Sequence, residues 1–397
     1  MAVVSTWLVL GYQYRGPGPD VSGPVVPPEV NEQRLLTEDA LGEVQRAEAA
    51  YIASIERLSK LAASKLQAAD SPVLANYREK LLVLDSAIAE CRAQLCRLFN
   101  GEKPEHFIFT LNCSDGLNLA IKGLVRPGQK NHGICTRIDH NSVLRPVNEL
   151  VRLGVLESTC VRIDPATGLV DPDDIRRAIR PETRFIALPQ ASNVTGTLQA
   201  IRQIGQIARA HGIPFIVDAA QSVGHVPIDV QADGIDLLAA PGHKGLLGPL
   251  GTGILYIRPG IEKILDTIRE GGTGSVSEKD IQPDFMPDKY EPGSHNAIGI
   301  AGLLEGVRWV ARKGLAELAA HNRELVATFL EGIAGVEGLT LYGPQGVNHR
   351  TSVFSVRIAG LEPYELASIL ETQYGILTRP GLHCAPLVHE TMGTLSL

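Results

Sequence analysis

The chain has 397 residues, 44% hydrophobic and 20% charged, a composition that suits a soluble globular protein with one large and one smaller core. Its net charge of −7 is spread without a basic run, which argues against nucleic acid or an anionic membrane as a partner. Six cysteines stand singly with no Cys-x-x-Cys, so neither a disulfide framework nor a structural zinc site is indicated, and a reducing cytoplasm fits. The apolar start, Val3–Leu10, is too short to span a bilayer.

In chain order, residues 1–30 read as an irregular arm, because Tyr14–Pro28 is rich in Gly and Pro. A helical pattern runs from Glu38 to about Phe99, broken near Asp70–Pro72, and its second piece, Val73–Phe99, ends at the cap signal Asn100-Gly101. Strand and helix then alternate. Strands are predicted at Phe107–Thr110, His132–Arg137, Val155–Ile163, Phe185–Pro189, Pro214–Asp218, Ile235–Ala240 and Gly253–Ile257. Helices are predicted at Asp115–Gly123, Val143–Leu153, Pro172–Arg180 and Ile201–His211. This is an α/β pattern: a mainly parallel sheet covered by helices on both faces, with functional groups at the strands' carboxyl ends. A polar loop, Ser275–Pro292, precedes long helical material at Ile298–Gly335. Strands at Leu339–Tyr342, Val353–Ile358 and Ile376–Thr378, with a helix at Pro363–Tyr374, then read as a smaller α+β domain. The division expected is an atypical N-terminal arm and helix (1–75), a large domain (76–292) and a small C-terminal domain (293–397).

Lys244 lies between glycines in Pro241-Gly242-His243-Lys244-Gly245, just after a buried apolar run. Such a setting suits a Schiff-base lysine, although a phosphate-contacting or surface lysine fits the spacing as well. Asp218 closes the preceding apolar run in Val217-Asp218-Ala219-Ala220-Gln221. A strand-end carboxylate with a lysine loop at the next strand end is the pair that a pyridoxal phosphate site requires. The lysine holds the aldehyde, and the carboxylate keeps the ring nitrogen protonated.

Three further strand ends carry polar groups. Asn112-Cys113-Ser114-Asp115-Gly116 opens a helix and could cradle a phosphate, or Ser114 or Asp115 could simply cap that helix. His140, in Asp139-His140-Asn141-Ser142, could lie on a cofactor ring or cap the next helix. Asn193 could donate to a ring oxygen or be a turn residue. Gln221 and His243 flank the two strongest residues. Near the C-terminus, Arg379-Pro380-Gly381-Leu382-His383-Cys384 sets a cysteine in a mobile turn beside histidine and arginine. A reactive thiol and a small buried cysteine both fit that setting.

On these stretches the chain resembles the class V aminotransferase family of fold-type I pyridoxal phosphate enzymes, and within it the cysteine desulfurases. The matching segments are Phe109–Ala120, Asp139–Pro146, Ser192–Gly196, Val217–Gln221 with His225, Pro241–Gly251, Gly271–Ser275 and Arg379–Pro386. With weaker matches between, they span roughly Ala89 to Thr394. The resemblance implies pyridoxal 5'-phosphate on Lys244, with Asp218 at the pyridine nitrogen, His140 stacked on the ring and Gln221 and Asn193 at its oxygen. Cys113, Ser114 and His243 would surround the phosphate, and Ser294 would reach the phosphate of a neighbouring subunit in a homodimer. Cys384 matches the persulfide-forming cysteine, and Arg379 an arginine of the substrate site, which Asn193 would share. The implied reaction converts L-cysteine to L-alanine and passes the sulfur to an acceptor protein. Selenocysteine lysis, transamination and a catalytically impaired cofactor-binding remnant are the alternatives.

The pattern departs from the family in three places. Pro241 stands where a Ser or Thr is usual, the family's N-terminal Asp-Asn-Ala-Ala segment is not recognisable in residues 1–75, and no Val-Arg-x-Ser strand comes after Gly393. A truncated small domain is therefore expected.

Overall fold

The computed structural model describes residues 2–5 and 72–395. The expected helix from Glu38 and most of the expected N-terminal arm lie outside the described residues. Residues from Leu84 onward form one compact unit together with the first strand, β1 (Ala2–Ser5); residues 72–83 belong to a second unit, Leu8–Val83. The first long helix, α1, runs Pro72–Leu98 and ends where Asn100 takes a left-handed φ of 54° and Gly101 N–H bonds back to the Cys96 carbonyl.

A seven-stranded sheet organises the larger unit. In chain order it uses β2 (Phe107–Thr110), β3 (His132–Thr136), β4 (Glu157–Val161), β5 (Thr183–Pro189), β6 (Phe215–Asp218), β7 (Leu237–Pro241) and β8 (Gly253–Ile257). Their spatial order is β2-β8-β7-β6-β5-β3-β4. Neighbours from β7 through β4 are parallel, while β8 runs antiparallel to both β7 and β2. Parallel strands need crossovers: α3 (Asn141–Arg152) joins β3 to β4, α4 (Pro172–Ala178) β4 to β5 and α5 (Ile201–Ala210) β5 to β6, while a stretch of turns joins β6 to β7; α2 (Cys113–Gly123) connects β2 to β3.

Both sheet faces are covered, which is why the central strands read as unbroken apolar runs rather than alternating ones. Along β5, Ile186 and Leu188 enter a core with Leu95 of α1 and Ile204 of α5, while Phe185 and Ala187 enter a second core with Leu117 of α2 and Val147 of α3. Leu303 and Val307 of α6 (Ala297–Lys313) complete the first core. Each such fully buried side chain contributes about 1.5–3 kcal/mol, enough in sum to fix the strand ends that carry the polar loops.

After α6 come α7 (Leu315–Ile333), β9 (Leu339–Tyr342), β10 (Val353–Ile358), α8 (Pro363–Tyr374), β11 (Arg379–Pro380) and α9 (Pro386–Thr391). A second, antiparallel sheet has the order β11-β1-β10-β9. Three sequence readings are corrected here. Residues 2–5, expected as irregular arm, pair as a strand, with Val3 opposite Ser355 and Arg379. The strand expected at Ile376–Thr378 lies instead at Arg379–Pro380, and the helix at Pro386–Thr391 was not foreseen. Among the described residues no helix is long and apolar enough to cross a membrane, and no cluster of His, Cys, Asp or Glu is arranged to hold a metal ion.

Candidate active site

Five loops converge at the carboxyl edge of the large sheet. Those after β2, β3, β5, β6 and β7 line a cavity of about 360 Å³ with Cys113, Ser114, His140, Asn193, Asp218, Gln221, His243 and Lys244. Eight residues singled out in the sequence are thereby brought together.

Asp218 ends β6 and is 5% exposed. Its Oδ1 accepts the Ala220 N–H at 2.9 Å and the Cys113 thiol at 3.4 Å. Burial and the adjacent carboxylate push the Cys113 thiol well above the usual range, so it serves Asp218 as a donor. No described residue donates to Oδ2, which leaves one oxygen of a buried carboxylate open beside a cavity that also holds a lysine. Lys244 itself sits in the turn after β7, where the Leu247 N–H bonds to its carbonyl at 2.9 Å. Gly245 is required there by close approach: a Cβ would lie 1.9 Å from the Val223 carbonyl oxygen.

The helix ends meet this cavity in a defined way. Asn112 caps α2 by accepting the Asp115 N–H at 3.0 Å, which corrects the expectation of Ser114 or Asp115 as the cap. Ser114, released from that task, bonds to Ser142 Oγ at 2.6 Å. His140 caps α3, accepting the Ser142 N–H on Nδ1 at 3.0 Å, with Ser142 Oγ at 2.9 Å from the same nitrogen. His140 thus caps the helix and also lines the cavity, so the cap does not exclude a place beside a cofactor ring. Because Nδ1 accepts, the ring proton is on Nε2. Burial holds this imidazole below its ordinary pKa, helped by Lys244, Arg145 and Arg379 and opposed by Asp218, so the neutral form dominates near pH 7. The His243 pKa is lowered by burial and by Lys244, and its buried Nδ1 has no partner among the described residues.

Cys384 lines an adjoining cleft of about 460 Å³ that shares Ser114, His140 and Ser142 with the first cavity. The turn carrying it, expected to be mobile, is tied down. The Cys384 carbonyl accepts the Asn141 N–H at 2.7 Å, and the Ala385 N–H bonds to the His383 carbonyl at 2.8 Å. The His383 N–H donates to His389 Nε2 at 3.0 Å. His389 is fully buried, with Nδ1 at 2.9 Å from Thr394 Oγ1. Arg137, just beyond β3, anchors α9 through Glu390 and Thr391.

A family model described as Aminotransferase class-V matches residues 80–396. The chain belongs to the class V aminotransferase family. A probable cysteine desulfurase of Methanothermobacter thermautotrophicus is 33% identical over 317 residues, which cover 78% of each chain. Among solved structures, the apo cysteine desulfurase of Thermococcus onnurineus NA1 superposes with a TM-score of 0.72 at 31% identity, covering 79% of this chain and 78% of that one. The cysteine desulfurase CsdA (S-sulfonic acid) of Escherichia coli gives 0.71 at 25% identity, again covering 79% and 78%.

Within this class V chain two expected site residues stand apart from the cavity. Ser294 is exposed and lines a separate cavity of about 130 Å³ with Asp115, Arg269 and His295. Its loop is fixed by the buried carboxylate of Glu291, which receives Arg92, the Phe109 N–H and His295. Arg379, exposed on β11, lines neither the cavity nor the cleft; its carbonyl bonds to His383 Nε2 at 3.2 Å. Two residues the sequence reading did not single out are Ser142, which links His140 to Ser114, and His389, which holds the Cys384 turn. Serine two positions past a helix-capping residue was a visible signal for the first. Nothing local marked the second.

The class V cavity suits pyridoxal phosphate on its own chemistry. A buried carboxylate with one open oxygen matches a protonated ring nitrogen, and an orphaned imidazole nitrogen at His243 wants a polar partner. The first N–H groups of α2, at Cys113 and Ser114, have no intrahelical acceptor and suit a phosphate.

Proposed function

We propose that this protein is a pyridoxal 5'-phosphate-dependent cysteine desulfurase that converts L-cysteine to L-alanine and carries the sulfur as a persulfide on Cys384. One observation supports this reading above the others: a cysteine on a held turn, in a cleft that shares three residues with a cavity containing Lys244 and Asp218. Lys244 would anchor the cofactor, Asp218 would hold the ring-nitrogen proton, and His140 would lie against the ring. Asn193 and Gln221 would reach the ring oxygen, and Cys113, Ser114 and His243 the phosphate. When bound, the cofactor supplies an electron sink that makes the substrate's Cα proton removable near neutral pH.

The protein's residues do the rest. Lys244 Nζ moves the Cα proton. His140 Nε2–H is the nearby donor, with its tautomer fixed by the cap. Arg379 would belong to the substrate site, which it would have to reach from outside the cavity and the cleft. The Cys384 sulfur takes the substrate sulfur, so the C–S bond breaks as an S–S bond forms, and the products are alanine and an enzyme persulfide. A homodimer with Ser294 at the neighbouring subunit's phosphate, a cytoplasmic setting and transfer to an acceptor protein complete the proposal.

Replacing Cys384 by Ser tests it. The variant is expected to keep cofactor absorbance and to lose alanine production from L-cysteine by at least about a hundredfold. Undiminished alanine production would exclude the mechanism, and a keto acid as product would replace it with transamination.

A further inference from the structure

A further cavity, of about 140 Å³, opens between α7, the turn at His225 and the loop that precedes β10. It is lined by Arg350, Arg323, His225, His349 and Asn322 among others, and by no Asp or Glu. Arg350 is 5% exposed. Its two terminal nitrogens donate to the carbonyls of Pro344 and Val353, the latter at 2.9 Å, and its guanidinium lies 4.4 Å over the Phe354 ring. Its Nε is buried and has no partner, and no carboxylate among the described residues pairs with it.

An arginine that only tied two loops together would account for the two carbonyl bonds. It would not account for a buried cation without a counter-charge, nor for the company it keeps. Arg323, four residues on from Ala319 on α7, is exposed and likewise has no ion pair or hydrogen bond among the described residues. His225 Nδ1 lies 3.2 Å from Asn322 Nδ2, so it accepts from that amide and the ring proton is on Nε2 as a donor. Burial lowers the Arg350 guanidinium to about 10 and lowers His225 as well, the direction for cationic groups that lack an anion nearby. Buried charges in folded proteins are ordinarily paired or ligand-bound.

We propose that this cavity is a binding site for a small doubly charged oxyanion, phosphate or sulfate, held by Arg350 and Arg323 with His225 and Asn322 as further donors. The size fits. The cavity holds several times the ~30 Å³ share of one water, and is well below the ~300 Å³ at which pockets begin to take drug-sized ligands. The unpartnered Nε–H of Arg350 leaves a charged donor for an oxyanion, beside the unpaired Arg323. The site stands independently of the proposed desulfurase chemistry.

The test uses the full chain saturated with pyridoxal phosphate, so that added phosphate cannot report on the cofactor cavity. Potassium phosphate and potassium sulfate are titrated separately, with ionic strength held constant by potassium chloride, and binding is read by calorimetry and thermal unfolding. One saturable site is expected, with a thermal midpoint that rises with ligand and unchanged cofactor absorbance; the tighter arm names the ligand. Arg323→Ala is expected to weaken binding at least tenfold, and Ala319→Phe, which fills the cavity from α7, to abolish it. Both positions are outside the core, so folding of these variants does not depend on Arg350. A response no larger than that of chloride alone, or one undiminished in both variants, would overturn the proposal.

Discussion

At Asp218 a single carboxylate is divided between two tasks. One oxygen is occupied by the Ala220 N–H and the Cys113 thiol, which fix its orientation, and the other is left open. Asp218→Asn keeps the shape and removes the charge that would hold a ring proton. Cofactor is expected to remain bound while kcat falls by at least about a hundredfold; unaltered kcat would remove Asp218 from the chemistry. His140 shows how residue-scale reading can pose a false choice. A histidine at a helix start can cap or face a ligand, and in sequence these compete. In space the cap uses Nδ1 while His140 still lines the cavity, so capping does not exclude the second role. Ser142 escaped notice for the same reason: serine near a helix N-terminus is routine, and its link to Ser114 depends on two helices meeting.

At the scale of elements, the site depends on turns that cross at near contact. The lysine turn packs on the turn at Val223–Gly224 so closely that Gly245→Ala would place a methyl 1.9 Å from a carbonyl oxygen. Overpacking of this kind costs about 1–3 kcal/mol, and the strain falls on the residue next to Lys244. A lower thermal midpoint and loss of cofactor retention are expected together; cofactor retention at the original level would show that the turn is not what places the lysine. The Cys384 turn depends on a different device, a buried neutral histidine. Burial, and secondarily His383, lowers His389 to about 4 from an ordinary 6.5. A depressed folded-state histidine pKa gives stability that is full above about 6.5 and is lost as pH falls through about 4, on the order of 3 kcal/mol in all. Protonation would set two donors against each other at the His383 N–H. His389→Gln keeps an acceptor and cannot titrate, so denaturant unfolding at pH 7 and pH 4.5 is expected to show a smaller acid loss than in the parent. Equal acid losses would assign the effect elsewhere.

For the molecule as a whole, the large sheet was legible because its strands are buried on both faces and therefore appear as short apolar runs, each with polar residues at the carboxyl end. The cavity was legible by the same logic, since five of those ends are neighbours in the sheet or across it. The second sheet was only partly so. Its strand at Ala2–Ser5 is four residues long, and its partners lie near the far end of the chain at Val353–Val356, so no local pattern could announce the pairing. His389 and the Glu291 network were hidden for the same cause: their partners are brought by tertiary structure, not by sequence spacing. The central claim is that the sulfur of L-cysteine passes to Cys384 beside a cofactor held on Lys244. The most direct measurement is to incubate the cofactor-loaded protein with L-cysteine and no acceptor, then map its cysteine peptides by mass while counting alanine released. One added sulfur on Cys384, with alanine formed one for one, is the expected result. Alanine without sulfur on Cys384, or sulfur only on another cysteine, would contradict it.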